Sequence, residues 1–401
     1  MALPPALVIG GAQMAVSAAR SLAAIGVEVH AVGDRADPIR HSRACASFTE
    51  ISRTHGLGEI YLDWLERGPR GAVLLPADDE SLEVVGRHRR TLEEWGYLPV
   101  EANDEVLLAM LDKTRTNELA RAAGVPAPRT QAVRTHQEAE RAAGDFDYPC
   151  ALKPVSSHLF AQAAGMSKKL FVVHDREELL QRFDEALDLG TEMLLTEIVP
   201  GPDEAFCSYY SYLMPDGAPL FELTKHKLRQ KPIGFGLTCY QETVWQPDLI
   251  EVGRRFCQGV GLRGVACVEF KHDHRDGAWK IIECNHRFSL ANEIVRLAGI
   301  DIPVIAYRRA AGQPVAPIGS YRKVRMWNPI EDASAFVEYR AAGELGLAAW
   351  IRSLLCRWHF PMWRLSDPAP TAFVLLRVRL PDLSRNAWRR VLGRLGRARA
   401  G

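Results

Sequence analysis

The sequence predicts a mixed fold: a doubly wound α/β unit at the amino end, then an α+β region built on antiparallel hairpins. Three observations carry this. Residues 6–9 read as a buried strand, Gly10-Gly11 as a tight turn, 14–25 as a helically spaced run closed by Gly26, and 27–32 as a second strand, which is a β-α-β opening. Residues 205–213 and 219–224 read as antiparallel strands around the Pro215-Asp216-Gly217 turn. Residues 265–271 and 278–284 flank a polar loop that ends in Gly277, a hairpin signal.

That last hairpin carries the chemistry. Side chains alternate faces along a strand. If an odd-numbered residue pairs with an odd one, Glu269 and Glu283 share a face, and Asn285 and Arg287 continue it. Two acids and an amide among apolar neighbours are costly to bury uncompensated. A hard divalent cation compensates them, since Mg²⁺ takes oxygen ligands and often shares them with phosphate. Arg287 then offers a fixed fork to a phosphoryl group. The competing reading is an edge hairpin with solvated acids.

A chain of 401 residues, 47% apolar and 25% charged, predicts two or three domains. A net charge of +1 argues against a dominant polyanion partner. The eight cysteines form no CxxC pair, so free thiols in a reducing compartment are expected. No stretch is long and apolar enough to span a membrane. The first residues lack the basic n-region of a signal peptide. The expectation is a cytoplasmic protein.

The remaining elements follow in order. GGAQMA lacks the third glycine of GxGxxG and Asp34 stands alone, so a dinucleotide site is the weaker reading of that turn. Residues 72–75 are a strand with Asp78, Asp79 and Glu80 beyond its carboxyl end, where ligand clefts of open sheets lie. The favoured reading of these acids is a cap on the helix that starts near Ser81. Residues 106–124 read as one helix containing Lys113, stopped by Gly124-Val125-Pro126-Ala127-Pro128. Residues 148–155 are an apolar strand with a lone lysine, Lys153. Such a lysine is expensive unless an anion meets it, or else it snorkels from an edge. Residues 156–169 read as a mobile loop, 170–173 as a strand, 177–187 as a helix, and 193–199 as a strand that runs into Pro200–Glu204. Lys225, Lys227, Arg229 and Lys231 precede Gly234-Phe235-Gly236 and form either a solvated loop or an anion site. Residues 249–261 are an amphipathic helix.

Taken in order, residues 111–293 resemble the ATP-grasp superfamily, of the carboxylate–amine ligase type that includes D-aspartate ligases and biotin-carboxylase-related enzymes. LDKTRTNELARAAGVPAPRT resembles the entry element, which implies Lys113 on the nucleotide phosphates. YPCALKPV resembles the second lysine strand, which implies Lys153 on the α- and β-phosphates and a catalytic part for it and Arg287. LLTEIVPGPDE is similar to the adenine hinge; it implies that Glu197, Ile198 and Val199 contact the base and Glu204 the ribose. VACVEF and IIECNHR resemble the metal strands, implying Glu269, Glu283 and Asn285 as ligands. KHKLRQKPIGFG looks like a cation-rich substrate loop, implying Lys225, Arg229 and Lys231 at the substrate. The loop SSHLFAQAAGMSKK departs from the pattern, with Gly165 as its one glycine, and leaves the roles of His158 and Lys168 open.

The resemblance implies ATP and Mg²⁺, with Mn²⁺ as the alternative ion. It implies small-molecule carboxylate and amine substrates, no nucleic acid, and a homodimer as the common assembly. The reaction it implies is acid + amine + ATP giving amide + ADP + phosphate. It also implies the domain layout: an α/β domain over 1–103, a first ATP-grasp subdomain over 104–190, a second over 191–318, and a C-terminal extension over 319–401. Two alternatives are another nucleophile (bicarbonate or a thiol) and a non-catalytic ATP-binding scaffold docked at a membrane surface.

Some signals are set aside. His272-Asp273-His274 lacks a cysteine or third spaced ligand, so a solvated turn is favoured over zinc. His286 is even-numbered and should point into packing. Residues 345–363 are aromatic and amphipathic, interrupted by Arg352, Arg357 and His359. Packing on the chain's own domain is favoured over a membrane surface. Residues 372–380 alternate like a strand. Residues 385–401 hold six arginines and no acid. A solvated terminus is favoured there over a polyanion or anionic lipid.

Overall fold

The computed structural model describes residues 3–52, 56–155, 170–187 and 192–379. The loop of 156–169, with His158 and Lys168, and the arginine-rich tail of 385–401 lie outside the described residues.

The first sheet is parallel in the order β3-β2-β1-β4-β5. Its strands are β1 (Ala6–Ile9), β2 (Val29–Gly33), β3 (Ser47–Glu50), β4 (Val73–Pro76) and β5 (Leu98–Pro99). Both faces are covered, which explains the unbroken apolar runs of β1 and β4. Ala6 and Val8 face α1 (Ala12–Ala23), whereas Leu7 and Ile9 join a cluster with α2 (Leu57–Arg67) and α3 (Asp79–Glu94). The turn into α1 needs its glycines. Gly10 has φ 67°, and a Cβ there would sit 1.9 Å from Asp78 Oδ2. The Gly11 N–H donates to that same carboxylate at 3.1 Å. Asp78 also accepts from Ser81 N at 2.9 Å, and Ser81 Oγ accepts from Asp78 N at 3.3 Å. The expected cap is therefore a capping box.

The expected helix 106–124 is two helices, α4 (Asp104–Met110) and α5 (Lys113–Ala122). Asp112 breaks it, because its carboxylate accepts from the amides of Thr114 (2.7 Å) and Arg115 (3.2 Å). Lys113 thus stands at the first position of α5. A four-stranded antiparallel sheet follows, β6-β9-β7-β8. It is built from β6 (Thr130–Val133), β7 (Cys150–Pro154), β8 (Phe171–Val173) and β9 (Met193–Glu197), and packs on α6 (His136–Ala143) and α7 (Arg176–Leu187).

The third sheet is antiparallel, β14-β13-β10-β11-β12-β15. Its strands are β10 (Phe206–Leu213), β11 (Pro219–Lys231), β12 (Leu237–Val244), β13 (Gly264–Asp273), β14 (Ala278–Asn285) and β15 (Arg325–Trp327). One face packs on α8 (Pro247–Gly259) through Leu249, Phe256 and Cys257. Two more helices, α9 (Asn292–Ala298) and α10 (Ile302–Ala310), share a core with α1 and the first sheet.

Three expectations change. Residues 225–231, read as a loop that is either solvated or an anion site, are the second half of β11, and Lys225, Lys227 and Arg229 in it are buried. Residues 369–374 form a helix, not part of a strand, because Pro368 and Pro370 favour a helical start. The aromatic run 345–363 is helical only over α12 (Leu347–Ser353), between α11 (Pro329–Ala341) and α13 (Ala369–Val374). This last segment returns to the first sheet. Arg20 of α1 donates to Asp367 Oδ2 at 2.8 Å and to the Met362 carbonyl at 2.6 Å, and Ser42 Oγ donates to Asp367 at 2.6 Å. Among the described residues no helix is long and apolar enough to cross a membrane.

Candidate active site

Strand register puts the two acids together. Glu269 lies directly opposite Glu283 across β13 and β14, and Cys267 opposite Asn285. Near the turn the pairing is Asp273 with Ala278 and Phe270 with Ile281. Continued unchanged, it would set Glu269 opposite Ile282 and turn Glu283 to the other face. A bulge at Ile282 shifts the register by one and brings the carboxylates onto one face. Asn285 Nδ2 donates to Glu283 Oε1 at 2.7 Å. Glu283 is exposed and Glu269 about one-fifth exposed, so the burial argument applies to Glu269 alone.

The same face continues across the sheet. Glu269 is opposite Ser208, and Ser208 is opposite Lys225. Lys227 Nζ reaches Glu269 Oε2 at 3.0 Å and lies 4.5 Å from the centre of the Phe206 ring, with Lys271 at 4.7 Å from the same ring. Lys225 donates to Gln241 Oε1 at 2.9 Å. Burial lowers the pKa of Lys225 and of Lys271; Glu269 offsets part of it for Lys225 and Asp203 for Lys271. Lys153, on β7 of the neighbouring sheet, has its pKa pushed down to about 8 by burial and by Lys113, against the pull of Glu283. Lys153 thus feels both Lys113 and the acid hairpin.

Arg287 follows the hairpin and forks onto Asp79 at the start of α3, with Nε–Oδ1 2.5 Å and Nη2–Oδ2 3.1 Å. Asp79 and Glu283 hold its pKa above the ordinary value despite burial. Glu197 ends β9 and accepts from Arg129 N at 3.0 Å and from Arg275 Nη2, with Lys280 at 3.8 Å. These contacts outweigh burial and lower its pKa. The half-buried Ile198 and buried Val199 follow directly. Glu204 lines a cleft of about 460 Å³ with Arg229, Tyr339 and Glu344. Burial, Asp203 and Glu344 raise its pKa against Arg229.

Of the three expected substrate cations, only Lys225 lies on the Glu269 face. A bulge at Leu228 turns Arg229 to the opposite side of β11, where it lies opposite Tyr240. Its guanidinium sits 4.3 Å from the Tyr240 ring centre and pairs with the buried Asp332 of α11 at 2.6 and 3.0 Å. Lys231 Nζ donates to Ser334 Oγ of the same helix. Three further groups join the site: Lys271, which the sequence reading does not single out, and Lys227 and Asp79, which it names only within a cation run and a helix cap. Lys227 and Lys271 share odd parity with Lys225 and Glu269, so strand alternation could have found both. Asp79 stands beyond the carboxyl end of a parallel strand, where ligand clefts lie, although helix capping is the favoured sequence reading. His286 is buried as expected, with its pKa pushed down to about 4. Asp273 is paired with Arg275 and Lys280 (2.6 Å), and the His272 ring meets Trp279 edge-on at 5.0 Å.

Comparison with known proteins agrees with this geometry. The chain is 26% identical over 292 residues to a D-aspartate ligase of Enterococcus faecium, covering 68% of this chain and 67% of that protein. It is 23% identical over 200 residues to a D-alanine–D-alanine ligase of Pseudomonas entomophila, covering 48% and 60%. It therefore spans about two thirds or less of these relatives' lengths. No family model matches. Among solved structures, an N5-carboxyaminoimidazole ribonucleotide synthetase with ADP superposes with TM-score 0.63 at 16% identity over 82% of each chain. The Hydrogenobacter thermophilus biotin carboxylase domain of 2-oxoglutarate carboxylase gives 0.61 at 19% identity, over 78% and 71%. The chain has the fold of these ADP-binding enzymes. The sequence relatives are ligases that act on D-amino acids.

Proposed function

We propose that the protein activates a small carboxylic acid with ATP as an acyl phosphate and joins it to an amine, releasing ADP and phosphate. The observation that supports it best is the Glu269–Glu283 pair on a face shared with Lys225 and Lys227, beside Lys153 and Lys113. Buried lysines with too few carboxylates to balance them call for an anion, and a nucleotide triphosphate supplies one.

The donor set of Glu269, Glu283 and Asn285 is all oxygen and fits Mg²⁺, which the biotin carboxylase neighbour holds as MgADP. Bound there, the ion would neutralise charge on the transferring phosphoryl group. This chain's residues do the rest. Lys113 and Lys153 hold the phosphates in line. Glu197, Ile198, Val199 and Glu204 hold adenine and ribose. Arg287 and Lys227 stand where charge develops on the equatorial oxygens, and phosphoryl transfer asks mainly for such positioning. The acid's oxygen attacks the γ-phosphorus and ADP leaves. The amine then attacks the acyl carbonyl, a C–N bond forms, the C–O bond breaks so that phosphate leaves with its electron pair, and the amine's proton passes to solvent or to the departing phosphate. Lys225 is the best-placed cation for the acid; Arg229 and Lys231 shape the strand from its far side. The four-part domain layout with boundaries near 103, 190 and 318 belongs to this proposal, as do a homodimer and a cytoplasmic site. The acid and the amine are small molecules whose identity the assay must supply.

Calorimetry with Mg·ATP tests the nucleotide reading. Binding should weaken at least tenfold in Lys153→Met, and its magnesium dependence should vanish in Glu283→Gln. Unchanged binding in both would overturn it.

A further inference from the structure

We propose that the C-terminal extension docks on an anionic lipid bilayer. Fourteen large apolar side chains are exposed among the described residues, and eight of them fall within residues 337–376. Leu355 is 79% exposed, Leu365 85%, Trp358 56% and Trp363 44%. The helix α12 buries none of its residues, and its Leu347 and Ile351 face solvent one turn apart. Exposed patches of this kind mark an interaction surface.

The charge pattern selects the occupant. Within residues 337–377 the acids are Glu338, Glu344 and Asp367, and Asp367 is buried against Arg20, Ser42 and the Arg43 amide. Arg340, Arg352, Arg357 and Arg377 are exposed, whereas Arg364 is half-buried and pairs with Glu293 at 2.6 Å. A surface that offers aliphatic groups, tryptophans and uncompensated arginines fits the boundary between anionic headgroups and acyl chains. Tryptophan favours that boundary because its ring is apolar and its N–H polar. A protein partner would need an acidic rim around an apolar centre; a bilayer presents both in the right order along its normal.

The patch also touches the interior. Trp350 Nε1 donates to Asp332 Oδ2 at 2.8 Å, and Arg229 Nη1 donates to Ser353 Oγ at 3.1 Å, so α12 rests on the ion pair that borders the Glu204 cleft. Docking would hold that cleft at the lipid surface. The inference does not depend on the ligase reading.

Flotation of the full chain tests it, using vesicles of phosphatidylcholine alone and vesicles with about one quarter phosphatidylglycerol. The chain should float with the anionic vesicles and not with the neutral ones, and binding should weaken as salt is raised. The variant Leu355→Glu/Leu365→Glu should bind at least tenfold more weakly with an unchanged melting temperature, since both side chains stand in solvent. Arg352→Glu/Arg357→Glu should lose about tenfold on the anionic vesicles. Failure to float with either vesicle would overturn the proposal. So would equal flotation of Leu355→Glu/Leu365→Glu, or a dimer broken by that variant in a protein that ignores lipid.

Discussion

Arg287 and Asp79 lie 208 residues apart in the chain, yet they form a two-pronged ion pair. The pair ties the end of the acid hairpin to the first turn of α3 at the carboxyl edge of the parallel sheet. A fork of this kind holds a guanidinium in one plane, which lysine cannot reproduce. Arg287→Lys should therefore lower kcat at least tenfold while the melting temperature stays within a few degrees. Steady-state kinetics and a thermal scan on the same preparation check both halves.

Lys153 yields a pH prediction. Its pKa is depressed to about 8 against an ordinary lysine value of 10.5. Between those values the unfolded chain binds the extra proton, so folding stability from this group rises with pH from about 8 upward. Below about 8 the buried charge is a standing cost. A bound polyanion restores the charge, so ATP binding should take up a proton near and above pH 8, and affinity should fall as pH rises further. Calorimetry at pH 8.5 in two buffers of different ionisation enthalpy measures the uptake, which Lys153→Met should abolish.

Arg229 and Asp332 form a buried bidentate pair, with side chains 6% and 0% exposed. Removing one partner strands the other. Asp332→Ala should cost about 3–5 kcal/mol of stability, and Arg229→Met in that background should recover part of it. Urea unfolding of the two variants decides this.

Lys227 pairs with Glu269, which the proposed divalent cation would also use. Lys227→Met should lower the magnesium concentration needed for half-maximal rate, because a competitor is gone. It should also lower kcat, because a positive charge beside the phosphoryl group is gone. A magnesium titration of the variant reads both.

Much of the fold was legible because local rules act there. β1 has the expected bounds, the glycine turn needs its glycines, and Asp78 caps α3. Other features turned on single residues that shift a register or restart a helix. Asp112 splits one helix and moves Lys113 to its tip. The bulge at Leu228 reverses which face Arg229 takes, and the bulge at Ile282 makes the parity argument for Glu269 and Glu283 correct. Contacts made at long range had no sequence signal at all: Asp79 on Arg287, Arg275 on Glu197, and Asp332 on Arg229. The return of the C-terminal extension to Arg20 of α1 belongs with them.

The most direct test of the central claim is product analysis with Mg·ATP and pairs of amino acids and small carboxylic acids, with Glu283→Gln as the blank. The account predicts ADP and phosphate, formed with one acid and one amine together and absent in Glu283→Gln. Formation of AMP and pyrophosphate, or ATP bound without any acid-dependent turnover across the panel, would contradict it.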